Sequence, residues 1–113
     1  MIKVYGIKNC DSVKKALKFF KEHNLEVDFF DFKKEEVTSS MIDYWVKNSS
    51  VDKLINNRGT TYRTLKLKDL NLDDEGKKQW LCKESMLIKR PVVEYNDKVI
   101  VGFDEKEYKN NFL

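Results

Sequence analysis

Apolar residues Ile2, Val4 and Tyr5 open the chain in a strand-like run over 2–7, and Gly6 within it marks a point where another backbone can approach closely. From 11 to 23 the period changes, with Val13, Ala16, Leu17 and Phe20 recurring at helical spacing. Asn24 is placed to end this helix in a left-handed conformation. His23 falls in its last turn, a helix-end or surface position rather than that of a catalytic base. Val27, Phe29 and Phe30 predict a second strand over 26–32. A strand, a helix and a strand joined by short links form a βαβ unit, so the two strands should run parallel with a right-handed crossover.

After the polar link Lys33-Lys34-Glu35-Glu36, the pattern is helical for some fifty residues, about 38–84. Thr38, Ser39 or Ser40 can cap a helix carrying Met41, Ile42, Trp45 and Val46 on its inner face. Ser50 can cap a short turn with Val51, Leu54 and Ile55. Asn57-Arg58-Gly59-Thr60-Thr61 reads as a polar loop in which Gly59 can take a positive φ. Tyr62, Leu65 and Leu67 predict one further helical piece, and Asn71 is the expected cap of a helix over 72–84 with Trp80 and Leu81 inward. Val92-Val93-Glu94-Tyr95 and Val99-Ile100-Val101, separated by the two-residue turn signal Asn96-Asp97, predict an antiparallel hairpin. Phe103, Tyr108 and Phe112 predict a closing helix.

The order β–α–β, helices, β-hairpin, α is satisfied by an α/β fold, a mixed four-stranded sheet flanked by helices. It is the order of the thioredoxin-like fold, here with a helical insertion between the second and third strands. Pro91, the only proline, opens the third strand. It fits either the cis proline that thioredoxin-like folds carry there or an ordinary trans proline at a strand start.

A chain of 113 residues suits a single domain over 1–113. Charges of both signs, 22 Lys and Arg against 19 Asp and Glu, leave a net charge of only +3, weak evidence for nucleic-acid binding, which needs a concentrated basic face. Lys14, Lys15, Lys18 and Lys21 share one side of the first predicted helix and read as a solvated face. No window is long or apolar enough to span a membrane, and the chain runs from Met1 into a strand without a secretory leader, which predicts a cytoplasmic protein. Cys10 and Cys82 form no CxxC pair and should rest reduced. One His and two Cys supply no metal-ligand set.

Cys10 lies at the turn between the first strand and the first helix. The free N–H groups of a helix start favour an anion there, so a thiol at that point loses its proton more easily, and the thiolate is the nucleophile. Lys8 adds to this effect and Asp11 opposes it. The alternative is that Cys10 is a small buried apolar residue.

The segments YGIKNCDSVKKAL, NRGTTYRTL, LIKRPVV and GFDEKEY, in this order, resemble the YffB branch of the ArsC/Spx family over essentially the whole chain. The resemblance implies a thioredoxin-like fold, Cys10 as the catalytic thiol, a cis Arg90–Pro91 bond and basic residues around the sulfur. It implies a glutathione-dependent thiol–disulfide oxidoreductase with glutathione as co-substrate, an oxidised thiol as substrate and no bound cofactor. Lys8, Arg58 and Arg90 would then favour the thiolate and bind a carboxylate of glutathione, while Asn9, Thr60 and Thr61 donate hydrogen bonds nearby. Arg58 is nearly as well read as a loop arginine paired with a surface carboxylate, and Tyr62 and Arg63 as packing and surface residues.

The departures from the family also carry information. The arsenate reductases that resemble this chain share Arg90, but Asn56 and Gly102 stand where two further oxyanion arginines are expected. Arsenate reduction is therefore the alternative activity, with an incomplete cradle for the dianion. A third alternative is an Spx-like transcriptional regulator binding RNA polymerase. Val13 stands where Spx proteins have the second cysteine of a CxxC switch, which argues against redox-switched binding. Cys82 reads as a buried structural thiol.

Overall fold

Strand β1 (Ile2–Gly6) pairs in parallel with β2 (Val27–Asp31), matching Ile2 with Val27 and Gly6 with Asp31. It also pairs antiparallel with β3 (Val92–Tyr95), Tyr5 opposite Val92, and β3 pairs antiparallel with β4 (Lys98–Val101). The resulting order, β2-β1-β3-β4, is that of the thioredoxin-like fold. The computed structural model describes residues 1–113, which form two compact units, one of Met1–Glu35 with Arg90–Leu113 and one of Glu36–Lys89.

In the first unit, α1 (Asp11–Glu22) buries Val13, Ala16, Phe19 and Phe20 and leaves its four lysines in solvent. It ends at His23, whose Nδ1 lies 2.9 Å from the Phe19 carbonyl oxygen, and Asn24 follows with φ 56°. The Asn96-Asp97 turn has φ of 49° and 63°, the positive values a two-residue hairpin needs. Helix α6 (Glu105–Phe112) is capped by the Asp104 carboxylate, which accepts from Glu107 N–H at 3.0 Å. α1 and α6 share a core with Ile2, Val4, Val93 and Ile100. There the Tyr108 ring stacks on Phe20 at 5.4 Å and meets Phe19 and Phe103 edge-on at 5.6 and 4.8 Å. Each ring fully removed from water contributes roughly 1.5–3 kcal/mol.

The second unit holds α2 (Ser39–Lys47), α3 (Val51–Leu54), α4 (Thr60–Thr64) and α5 (Asp74–Lys83). Thr38 and Ser50 cap α2 and α3 through their side chains, accepting from Met41 and Lys53 N–H. Ile42, Trp45, Leu54, Leu67, Leu81, Leu87 and Ile88 are buried, and an isolated antiparallel bridge joins Ile55 to Ile88. No helix is long and apolar enough to cross a membrane.

Several local expectations are corrected. Asn71 does not cap α5. It is left-handed, with φ 47°, and ends a 3-10 turn over Leu67–Leu70, while Asp73 caps α5 by accepting from Gly76 N–H at 2.8 Å. The helical piece around Tyr62 and Leu65 is split from that turn by Lys66, with φ 53°. Gly59 has φ −81° rather than a positive value; a Cβ there would lie 2.7 Å from the Asn56 amide nitrogen, so close packing is what it permits. At Gly6 the close neighbour is the Val13 side chain rather than a backbone. Cys82 is half-buried, not buried.

Candidate active site around Cys10

The helical period begins at Asp11, which makes Cys10 the N-cap of α1. Its backbone is extended, with φ −136° and ψ 126°, and its carbonyl accepts the first helical bond from Lys14 N–H at 2.9 Å. Ser12 and Val13 are therefore the second and third residues of the helix, whose N–H groups have no partner inside it. The sulfur makes no capping hydrogen bond of full geometry, but these N–H dipoles still act on a negative charge at that position.

The half-buried position of Cys10 pushes its thiol pKa up. The Val13 N–H, a hydrogen bond and the positive charge from the Arg90 guanidinium, and the Ser12 N–H together outweigh this, and the pKa is lowered from the ordinary thiol value. Helix N–H groups and a guanidinium beside a thiol favour its anion, and the thiolate is the nucleophilic form. Lys8 and Asn9 lie exposed on the turn before Cys10; the charged side chain that acts on the thiol is Arg90.

Arg90 is placed by the start of β3. The Arg90–Pro91 peptide is cis, and Pro91 is buried directly before Val92, which pairs with Tyr5. The Pro91 carbonyl accepts from Gly102 N–H at 2.8 Å, and the Gly102 carbonyl accepts from the Tyr108 hydroxyl at 2.8 Å. This chain of contacts ties the segment carrying Arg90 to β4 and α6. Gly102 has φ 85°, a conformation in which an arginine would be strained.

Arg58, Thr60 and Thr61 belong to the second unit, around the start of α4. Arg58 is exposed, and its carbonyl accepts from the Arg63 guanidinium at 3.2 Å. Asn56 donates its N–H to the Leu87 carbonyl at 2.7 Å. Cys82 lies on α5 at the edge of a cavity of about 430 Å³, together with Ile42 and Asp43 of α2 and Lys78 and Lys83 of α5.

Sequence reasoning missed the contributions of Ser12 and Val13, because they act through their backbones. The signal that could have found them is their offset from Cys10, the second and third positions of a helix whose start the apolar period had already located. The structural part of Gly102 was also missed; a lone glycine after a hairpin strand suggests a positive φ but not its two backbone partners.

The ArsC family pattern matches residues 5–111. An uncharacterised protein of Haemophilus influenzae is 40% identical over 113 residues, covering 99% of each chain. Among solved structures, a YffB protein superposes with a TM-score of 0.94 at 30% identity, covering 100% of both chains. The solution structure of an arsenate reductase (ArsC) related protein from Brucella melitensis gives 0.78 at 34% identity, covering 98% of this chain and 93% of that one. With a match over nearly its whole length and relatives this similar, the chain belongs to the ArsC family.

Proposed function

We propose that the protein is a thiol oxidoreductase that works through one cysteine, with glutathione as the second thiol. The Cys10 thiolate attacks one sulfur of a disulfide substrate. The Cys10–substrate sulfur bond forms as the substrate S–S bond breaks, and the other substrate sulfur leaves as a thiolate. A glutathione thiolate then attacks the substrate sulfur of the mixed disulfide. Cys10 leaves as the thiolate, and glutathione carries the substrate away as a new disulfide. The observation that carries this reading is the place of Cys10 at the N-cap of α1, where the Val13 and Ser12 N–H groups and the Arg90 guanidinium favour its thiolate.

In this reading Arg90 has two roles, favouring the thiolate and offering a guanidinium to a carboxylate of glutathione, a pairing in which charge-assisted bonds are short and strong. Lys8, Asn9, Arg58, Thr60 and Thr61 are proposed as further binding groups. The direct experiment is reduction of a small mixed disulfide of glutathione, with glutathione as reductant. Turnover that survives Cys82→Ser and vanishes with Cys10→Ser supports the proposal. Turnover that survives Cys10→Ser contradicts it.

Arsenate reduction is the second reading, favoured by the description of the Brucella relative as related to an arsenate reductase. Against it stand Asn56 and Gly102 at the positions expected of two oxyanion arginines. The backbone at Gly102, φ 85°, disfavours any arginine. Arsenate with glutathione and glutaredoxin should therefore give weak or no turnover, and turnover matching that of a dedicated arsenate reductase would reverse the order of the two readings.

A further inference from the structure

Gly6 is buried at the end of β1, opposite Asp31 in register. Among the glycines only Gly102 has a positive φ, so the backbone at Gly6 does not need glycine. The space around it does: a Cβ there would lie 2.8 Å from Val13 Cγ2 and 3.8 Å from Arg90 Cβ. The second distance is ordinary contact; the first is closer than real Cβ atoms come, and the gap would have to widen from 2.8 Å to at least 3.4 Å to relieve it.

We propose that Gly6 is a positioning residue for the Cys10 thiol, its missing side chain making the gap in which Val13 seats the first turn of α1 against the end of β1 beside Arg90. The inference rests on the reading of Cys10 as the working thiolate. Val13 is the third residue of α1 and fully buried. A close-packed interior gives it little room to turn aside, so a methyl group at Gly6 displaces the first turn of the helix. That turn carries the Val13 and Ser12 N–H groups, which together with Arg90 favour the Cys10 thiolate. Lys8 and Asp11 flank Cys10 in sequence and are exposed. A displacement away from β1 takes the N–H dipoles from the sulfur and leaves the effect of burial in place, so the thiol pKa rises.

The test uses the full chain carrying Cys82→Ser, so that one thiol reports. Thiolate absorbance is followed against pH for this parent, for Gly6→Ala, for Val13→Ala and for Gly6→Ala with Val13→Ala. Gly6→Ala should raise the midpoint enough to leave about threefold less thiolate at neutral pH, the change given by roughly half a pH unit. In the double variant the new methyl occupies space left by the valine, and the midpoint should return to that of the parent. A merely structural glycine would not give this rescue. An unmoved midpoint in Gly6→Ala, or a double variant as high as the single one, overturns the proposal. If Gly6→Ala does not fold, the double variant decides: folded with the parent's midpoint it supports the proposal, and unfolded or shifted it overturns it. A parent midpoint in the ordinary thiol range overturns the functional reading and the inference together, whereas a low parent midpoint with Gly6→Ala unmoved removes only the role of Gly6.

Discussion

Replacing Tyr108 with phenylalanine removes one hydroxyl and leaves the aromatic ring and its packing in place. The hydroxyl donates to the Gly102 carbonyl at 2.8 Å, and Tyr108 is 0% exposed. The variant loses a hydrogen bond of about 0.5–1.5 kcal/mol net and leaves a buried carbonyl without this donor, at about 1–3 kcal/mol. These figures overlap, so Tyr108→Phe should cost about 1–2 kcal/mol at pH 7, read from urea unfolding. The same residue adds a dependence on pH. Burial, with a smaller contribution from Glu107, holds the Tyr108 hydroxyl well above the usual phenol range. The native state keeps this proton, and the unfolded state gives it up near pH 10. Above that pH the unfolded state binds fewer protons, so the stabilisation is fully present below about pH 10 and falls by up to about 1.4 kcal/mol per pH unit above it. The phenylalanine variant has no such loss, and the gap between the two proteins should close between pH 10 and 11. Equal stability at pH 7, or a constant gap from pH 9 to 11, would refute the reasoning.

Two other substitutions bear on the site and its surroundings. Arg90→Met keeps an unbranched, flexible stem and removes the guanidinium, with its charge and its hydrogen bond to Cys10, so the thiol pKa should rise and the pH profile of Cys10 alkylation should move to higher pH; an unchanged profile would leave the helix N–H groups as the only activating element. Asp73→Ala removes the cap that accepts from Gly76 N–H at 2.8 Å and should cost about 0.5–2 kcal/mol in urea unfolding, and a stability equal to the parent's would show that this cap contributes nothing.

Much of this fold was legible because its strands and its first helix have clean periods. Ile2, Val4 and Tyr5, then Val13, Ala16 and Phe20, then the Asn96-Asp97 turn were enough to give the βαβ unit and the hairpin. Left-handed residues were partly legible: Asn24, Asn71, Asn96 and Asp97 are types that tolerate this conformation, whereas Lys66 is not, and the break it makes after α4 has no local signal. The start of α5 was misplaced because Asn71 and Asp73 are both capping types two residues apart. Asp73 has the acidic pair Asp74 and Glu75 in the turn after it, which suits the helix dipole, while Asn71 ends the preceding 3-10 turn. At the site, Cys10 could be read from its place at a helix start, and Arg90 from the family's Arg-Pro pair. The half-buried setting of Cys82 could not be read, because which face of α5 meets α2 depends on contacts between residues distant in sequence.

Competitive alkylation of the native protein at neutral pH reports directly whether Cys10 is the activated thiol of the pair. Sub-stoichiometric iodoacetamide, quenched at intervals and followed by peptide mapping, gives the labelling rate of each cysteine in the same molecule. Both thiols are half-buried, so a large difference in rate reflects the thiolate more than access. Cys10 should label faster, with a midpoint against pH below the ordinary thiol value; faster labelling at Cys82, or a Cys10 midpoint at or above that value, would contradict its role as the activated thiol.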